Sequence, residues 1–375
     1  MSLKSIFLLL LTTGLLLANP QQITNIDEHI MDMIFNGQWQ QADSLIDQRI
    51  SEQPDNPKYY YMKLPLFYYT RYFNNGALNG DSLMQLVQEY ALKTIEVAEK
   101  STDSAEKYFY LGCGYDYLSR YYIRASGRWD AYWAARKGVN YYEDAIEEDP
   151  QFYDAYMGLG VIDYFTSRLS GFTRSIAWIT GMLGDRETAL ANFHTVSEKG
   201  KLCKNEAEFA LVSVYRFFEN DFETSHSMAA SFLERIPDNT FIRNIFHQTV
   251  LLQLISTGGV DLLTQMPSDT LVSRFQVTNS GVLNQMGYYM VNQNRFQDAE
   301  SIFLLNIQLF PEEANPYDSI AECYQIMGEY QKAIDYSRIA LEKLESDQTV
   351  NDQFRENLRQ ILDDRLKDLA GEVNI

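Results

Sequence analysis

A 34-residue internal duplication over residues 281–345 constrains this chain more than any other feature. Ala299 and Ala333 lie 34 residues apart, as do Gly287 and Ala321, and Phe296 and Tyr330. A fixed step of that length is the period of one helix–turn–helix unit. Such a unit buries its apolar face only by stacking on neighbours, so the pattern predicts an array of helical hairpins. In the later copy Tyr317, Ile320, Ala321 and Tyr324 share one face of a first helix. Gly328 then permits a tight turn, because a residue without Cβ enters left-handed backbone space cheaply. The second helix carries Tyr330, Ala333, Ile334, Ala340 and Leu341. Ala321 and Ala333 mark the closest approach of the paired helices, where a bulkier side chain would cost ~1–3 kcal/mol. The earlier copy repeats the logic with Leu283, Met286, Gly287, Phe296, Ala299 and Phe303, and Pro311 closes it.

These residues resemble the tetratricopeptide repeat (TPR) pattern of aromatic, Leu-Gly or Leu-Ala, aromatic, turn, aromatic, Ala, Phe or Tyr, Ala and Pro. The departures are Asn294 at the turn glycine, Ser337 at the second-helix aromatic and Glu345 at the terminal proline. The resemblance implies an all-α fold, a right-handed TPR-type superhelical solenoid. Gly37, Trp39, Ala42 and Pro54 write a first hairpin, and Pro150 and Pro237 close others. The intervals between Pro54, Pro150, Pro237 and Pro311 are 96, 87 and 74 residues. Each is two repeat units plus an excess, which predicts about eight hairpins. The excess is expected as insertions near 71–82, 119–130 and 165–183. The sixth unit, about 238–276, is the least regular. Residues 351–370 read as an amphipathic helix whose apolar face is Phe354, Leu358, Ile361, Leu362, Leu366 and Leu369. It suits a C-terminal cap that hides the last repeat from water. The expected organisation is a leader at 1–18, divergent TPR-like repeats at 19–280, two clear TPR units at 281–345 and a capping helix and tail at 346–375.

Lys4 followed by the apolar run Ile6 to Leu17, with Ala18 as the cleavage residue, reads as a signal peptide. The run is short for a membrane span, which needs ~20 apolar residues. Export, with a periplasmic location, is the expectation. The formal net charge is −20, which disfavours nucleic acid, whose binding rests on phosphate neutralisation. Cys113, Cys203 and Cys323 cannot all pair and show no metal-type spacing. No metal or other cofactor is expected.

Two stretches are candidates for function. Residues 115–137 interleave Arg120, Arg124, Arg128, Arg136 and Lys137 with Tyr115, Tyr117, Trp129, Tyr132 and Trp133 in an otherwise acidic chain. Arginine offers a planar fork to carboxylates and aromatic rings add flat contact area. Tyr115, Arg120, Arg124, Arg128, Trp129, Trp133 and Tyr156 are therefore the candidate partner-binding residues. The alternative is that the rings pack between repeats and the arginines pair with nearby acids. The second stretch, 165–183, places Phe172, Trp178 and Met182 among apolar residues with Arg168 and Arg174. It suits a helix lying in a membrane interface or one folded back over the repeats.

The span 104–237, through YFYLG, RWDAYWAARKG, YDAYMGLGVIDYF and GDRE before Ala189, is similar to a set of bacterial exported TPR proteins. It shows a fainter likeness to the eukaryotic inclusion-body-clearance repeat family. Both imply a scaffold and no catalytic residue. Gly184-Asp185-Arg186-Glu187 itself reads as a turn and helix N-cap. HExxH, GxSxG, GxxxxGK and GxGxxG are all absent from the sequence, and the four histidines are scattered. The function expected is a non-enzymatic scaffold or adaptor that holds a protein or peptide partner in a concave groove. A membrane-peripheral envelope assembly factor using 165–183, and a helical-repeat enzyme on cell-wall polysaccharide, are the alternatives.

Overall fold

The computed structural model describes residues 25–73, 79–102, 104–125, 127–171, 174–175, 177 and 181–373. The expected leader at 1–18, Phe172 and Trp178 lie outside the described residues. Among the described residues the regular structure is helical, in eighteen α-helices and one π-turn, with no strand. They pair as helical hairpins, so the chain is an all-α helical-repeat fold.

The order is α1 (Ile26–Phe35) with α2 (Trp39–Glu52), α3 (Pro57–Phe73) with α4 (Gly80–Glu99), and α5 (Ala105–Ala125) with α6 (Arg128–Glu148). Then come α7 (Ala155–Ser167) with α8 (Arg186–Lys199), and next in the chain α9 (Lys204–Val214), a π-turn at Tyr215–Glu219 and α10 (Phe222–Arg235). In the sixth unit α11 (Thr240–Ser256) is followed by two short helices, α12 (Val260–Thr264) and α13 (Ser268–Phe275). Pro267 between them cannot donate a helical hydrogen bond, so the second helix is split. The series ends with α14 (Ser280–Asn292) and α15 (Phe296–Leu309), α16 (Ala314–Ile326) and α17 (Tyr330–Ser346), and α18 (Asp352–Val373). Contacts divide the chain into two compact units. The first holds the described residues up to Leu211 with Phe232–Phe241, and the second holds Val212–Ser231 with those from Ile242 onward.

The small residues sit where the repeat pattern requires them. Ala42, Ala189, Ala299 and Ala333 are fully buried. A Cβ added to Gly287 would lie 2.3 Å from the Phe303 ring, so α14 and α15 meet with no room between them. The turn between these two helices uses Asn294 at φ +56° where the next hairpin uses Gly328 at +77°. Asparagine tolerates left-handed backbone better than most residues, which is why the repeat survives that departure.

Capping is narrower than the sequence pattern suggests. Leu358, Leu362 and Leu369 are buried and Leu366 is partly buried, but Phe354 and Ile361 are exposed. The buried seam runs 358, 362, 365 and 369, and Arg365 occupies its centre, 7% exposed. Arg365 Nη1 donates to Asp318 Oδ1 at 2.6 Å and lies 3.4 Å from Ser337 Oγ, while its Nε donates to Gln325 Oε1 at 3.1 Å. Ser337 thus departs from the aromatic pattern at the point where a ring would fill the space that the guanidinium takes.

The third hairpin is the longest. Helices α5 and α6 have 21 residues each, against 13 and 14 in α14 and α15. At a rise of 1.5 Å per residue the surplus adds about 10–12 Å to each arm. Gly127 closes the hairpin at φ +112°, and every described residue from Ile123 to Asp130 is exposed.

Candidate functional site

The basic-aromatic stretch 115–137 separates in three dimensions into a buried base and an exposed tip. At the base, Asp116 and Arg120 are one helical turn apart on α5, so their side chains meet. Arg120 Nη2 donates to Asp116 Oδ2 at 2.7 Å, and its Nη1 reaches Glu206 Oε1 on α9 at 3.4 Å. Tyr69 Oη donates to the same Glu206 oxygen at 2.9 Å, and Tyr117 Oη does so at 3.4 Å. The guanidinium lies 4.4 Å from the Tyr117 ring centroid and 4.9 Å from that of Tyr68, placing the cation against aromatic faces. Asp116, Tyr117 and Glu206 are each 3% exposed or less.

Glycines let the helices come this close. A Cβ on Gly112 would lie 2.7 Å from the Tyr142 ring and one on Gly158 would lie 1.9 Å from it, so Tyr142 is wedged between α5 and α7. Beside it Tyr61 Oη and Cys203 Sγ are 3.2 Å apart. Asp154, itself buried, accepts the backbone N–H groups of Lys201, Leu202 and Cys203 at 2.9, 3.1 and 2.9 Å. It satisfies donors at the entry to α9, which would otherwise be orphaned.

The electrostatics follow from burial. Burial pushes the Glu206 carboxyl above its ordinary 4.5, and the Arg120 charge and the Tyr69 hydrogen bond only partly oppose this. Burial disfavours the Arg120 charge as well, but Asp116 and Glu206 outweigh it and hold the guanidinium above the usual arginine range. Burial also raises the Cys113 and Cys203 thiols well above 9 and the Asp154 carboxyl above 3.8. The space left among Tyr61, Cys113, Arg120, Tyr142, Cys203 and Glu206 is about 10 Å³. That is close to the least a single water needs. One guanidinium between two carboxylates ties α5 to α9.

The tip differs in every respect. Ile123, Trp129 and Trp133 are 69, 64 and 60% exposed. Tyr132 bridges the two indoles edge-on, with centroids 6.1 Å from Trp129 and 5.1 Å from Trp133. Arg124 Nη2 pairs with Asp81 Oδ1 at 2.7 Å in solvent. Arg128 is exposed and makes no ion pair with any described residue.

The remaining candidates lie elsewhere. Tyr115 stacks on Tyr141 at 5.7 Å, with Lys137 Nζ 4.9 Å from its ring. Tyr156 is partly buried and donates to the Pro150 carbonyl at 3.3 Å. Met182 is buried, its N–H bonded to the Ala177 carbonyl at 2.8 Å. Arg136 Nη1 reaches the Gly181 carbonyl at 3.5 Å, so this end of the 165–183 insertion lies against α6. After it, Asp185 caps α8 by accepting the Thr188 N–H at 2.8 Å.

Glu206, Tyr69 and Asp154 escape a motif search, since each belongs to a different hairpin from Arg120. Glu206 still leaves a trace. It stands among Cys203, Ala207, Phe209 and Leu211, all buried, as the one carboxylate on the apolar side of α9. Among the described residues no group of His, Cys, Asp or Glu side chains is placed to hold a metal ion.

No protein-family model matches the sequence. No curated protein matches it either. Among solved structures the chain is similar to yeast Tom70, at 13% identity and a TM-score of 0.32, over 90% of this chain and 62% of that one. It is similar to the human IFIT1 dimer with PPP-AAAA, at 11% identity and 0.30, over 82% and 69%. It is also similar to the P58(IPK) TPR domain, at 15% identity and 0.24, over 91% and 97%. This chain thus spans less than two thirds of the Tom70 chain. None of these likenesses assigns it a ligand, a partner or a function.

Proposed function

We propose that this protein is an exported, non-enzymatic scaffold or adaptor that captures a protein or peptide partner at the tip of its third hairpin. One observation carries the reading: two tryptophans and an isoleucine stand more than half exposed on a hairpin two turns longer than its repeat requires. Exposed indoles flanked by arginine are the composition of interface hot spots. Arg124 and Arg128 add a preference for carboxylates on the partner, and the whole chain's net charge of −20 disfavours nucleic acid. The apolar run Ile6 to Leu17 supports export to the periplasm.

The test is a crosslinking pull-down from the envelope fraction with wild type, Arg124→Glu and Trp133→Ala. Loss of one partner from both variants, each with unchanged thermal unfolding, is the expected result. An identical partner set in all three would remove the tip as the binding surface. N-terminal sequencing of the mature protein checks export, with a start after Ala18 expected.

A further inference from the structure

A second kind of arginine stands in the π-turn that follows α9. Arg216 is 6% exposed, yet among the described residues none makes a hydrogen bond or an ion pair to its guanidinium. Its Nε is sealed from solvent without a partner, so what exposure remains lies at the Nη edge. Its neighbours are rings: the guanidinium carbon is 4.9 Å from the centroid of Phe217 and 5.7 Å from that of Phe222. Phe222 is itself held edge-on by Tyr289 at 5.3 Å. The turn is a single π-helical turn ending in Asn220 at φ +54°, a left-handed conformation for a residue with a side chain. Short π segments interrupt α-helices mostly where function demands a re-aimed side chain. This one leaves Phe217 and Phe218 41 and 37% exposed beside the buried cation.

A buried charge without a counter-charge is costly unless something supplies one. Burial alone lowers the Arg216 pKa to about 10, with no carboxylate acting on it. Two rings lie against the planar group and its Nε is sealed, which leaves the Nη edge as the approach. That edge fits a flat, two-oxygen anion lying in the guanidinium plane.

We propose that Arg216 is the anchor of a carboxylate-binding site, taking a carboxylate borne next to an apolar or aromatic side chain that rests on Phe217 and Phe218. The carboxylate oxygens accept from Nη1 and Nη2, and binding replaces an uncompensated buried charge with a neutral pair. The site lies outside the third-hairpin tip and stands or falls independently of the partner proposed there.

The experiment uses the full chain and measures thermal unfolding and heats of binding with three probes: N-acetylphenylalanine, N-acetylphenylalaninamide and inorganic phosphate. Wild type is expected to be stabilised by the free acid and unmoved by the amide. Arg216→Lys keeps the charge but loses the fork, and is expected to bind the acid about tenfold or more weakly. Arg216→Met is expected to unfold at a higher temperature than wild type without ligand and to lose the response to the acid. Stabilisation by phosphate but not by the acid would overturn the carboxylate assignment. Equal responses to acid and amide would overturn the role of the anion. A lower unfolding temperature for Arg216→Met, or its failure to fold, would show that the cation is already compensated within the chain and would overturn the proposal.

Discussion

Arg120, partly buried, and Arg365, buried, both tie one helix to its neighbours, but they are balanced differently. Arg120 lies between two carboxylates, Asp116 and Glu206, in the first unit. Arg365 faces one carboxylate, Asp318, in the second, and its remaining donors meet the neutral Gln325 and Ser337. The first site holds one carboxyl more than it has guanidinium groups, and tyrosine hydroxyls donate to Glu206. The second is neutral. Breaking a buried pair by removing one member costs more than the pair contributes, because the survivor stays buried and charged. The number of survivors should therefore set the size of the effect.

The largest effect expected is from Arg120→Met, which leaves two buried carboxylates and should cost ~3–5 kcal/mol in urea unfolding. A loss no greater than that of Arg365→Met would break the comparison. Arg365→Met strands only Asp318 and should cost ~1–3 kcal/mol. Most of that loss should return when Asp318→Leu is added, since the pair is then replaced by packing. Hydrogen exchange in α18 should quicken in the single variant and slow again in the double.

The surplus carboxyl makes its own pH signature. Glu206 holds its proton more tightly in the folded chain than unfolded, where its value is 4.5. Its contribution is full below pH 4.5 and is lost as the pH rises through the higher native value, because the native state binds more protons in that window. Glu206→Gln should remove that slope and leave stability at pH 7 equal to or above wild type, since the amide oxygen can still accept from Tyr69. A slope that persisted, or a large loss at pH 7, would show that the second carboxylate is not in surplus. The smallest effect expected is for Arg124→Ala. Its pair with Asp81 is more than half exposed on both sides, so the loss should be ~0–1 kcal/mol and vanish at high salt.

Much of this architecture is legible in one dimension. Helix pairs, turns and the small residues between them recur at short, fixed separations, so local spacing suffices to place Gly287 against Phe303 or to seat Asn294 in a turn. The cap shows where periodicity runs out. Phe354 and Ile361 belong to the apolar stripe of α18 by spacing, and both are exposed, because α16 and α17 offer it a seam only one side chain wide with a place for Arg365.

The basic-aromatic stretch shows the same boundary more sharply. Its composition marks it as unusual, and Arg120 and Arg124 are one turn apart with the same chemistry and similar neighbours. What separates them is Glu206, 86 residues further on, which meets Arg120 inside the first unit, while Arg124 lies past the end of the packed helices in the solvent with Asp81. The sequence by itself determined the helices, their pairing and the turns, because those rest on contacts within a few tens of residues. Only the tertiary structure decided which arginine is a tie between hairpins, which is a surface charge and which, at Arg216, is buried with no counter-charge. Burial and charge compensation depend on side chains brought together from distant hairpins.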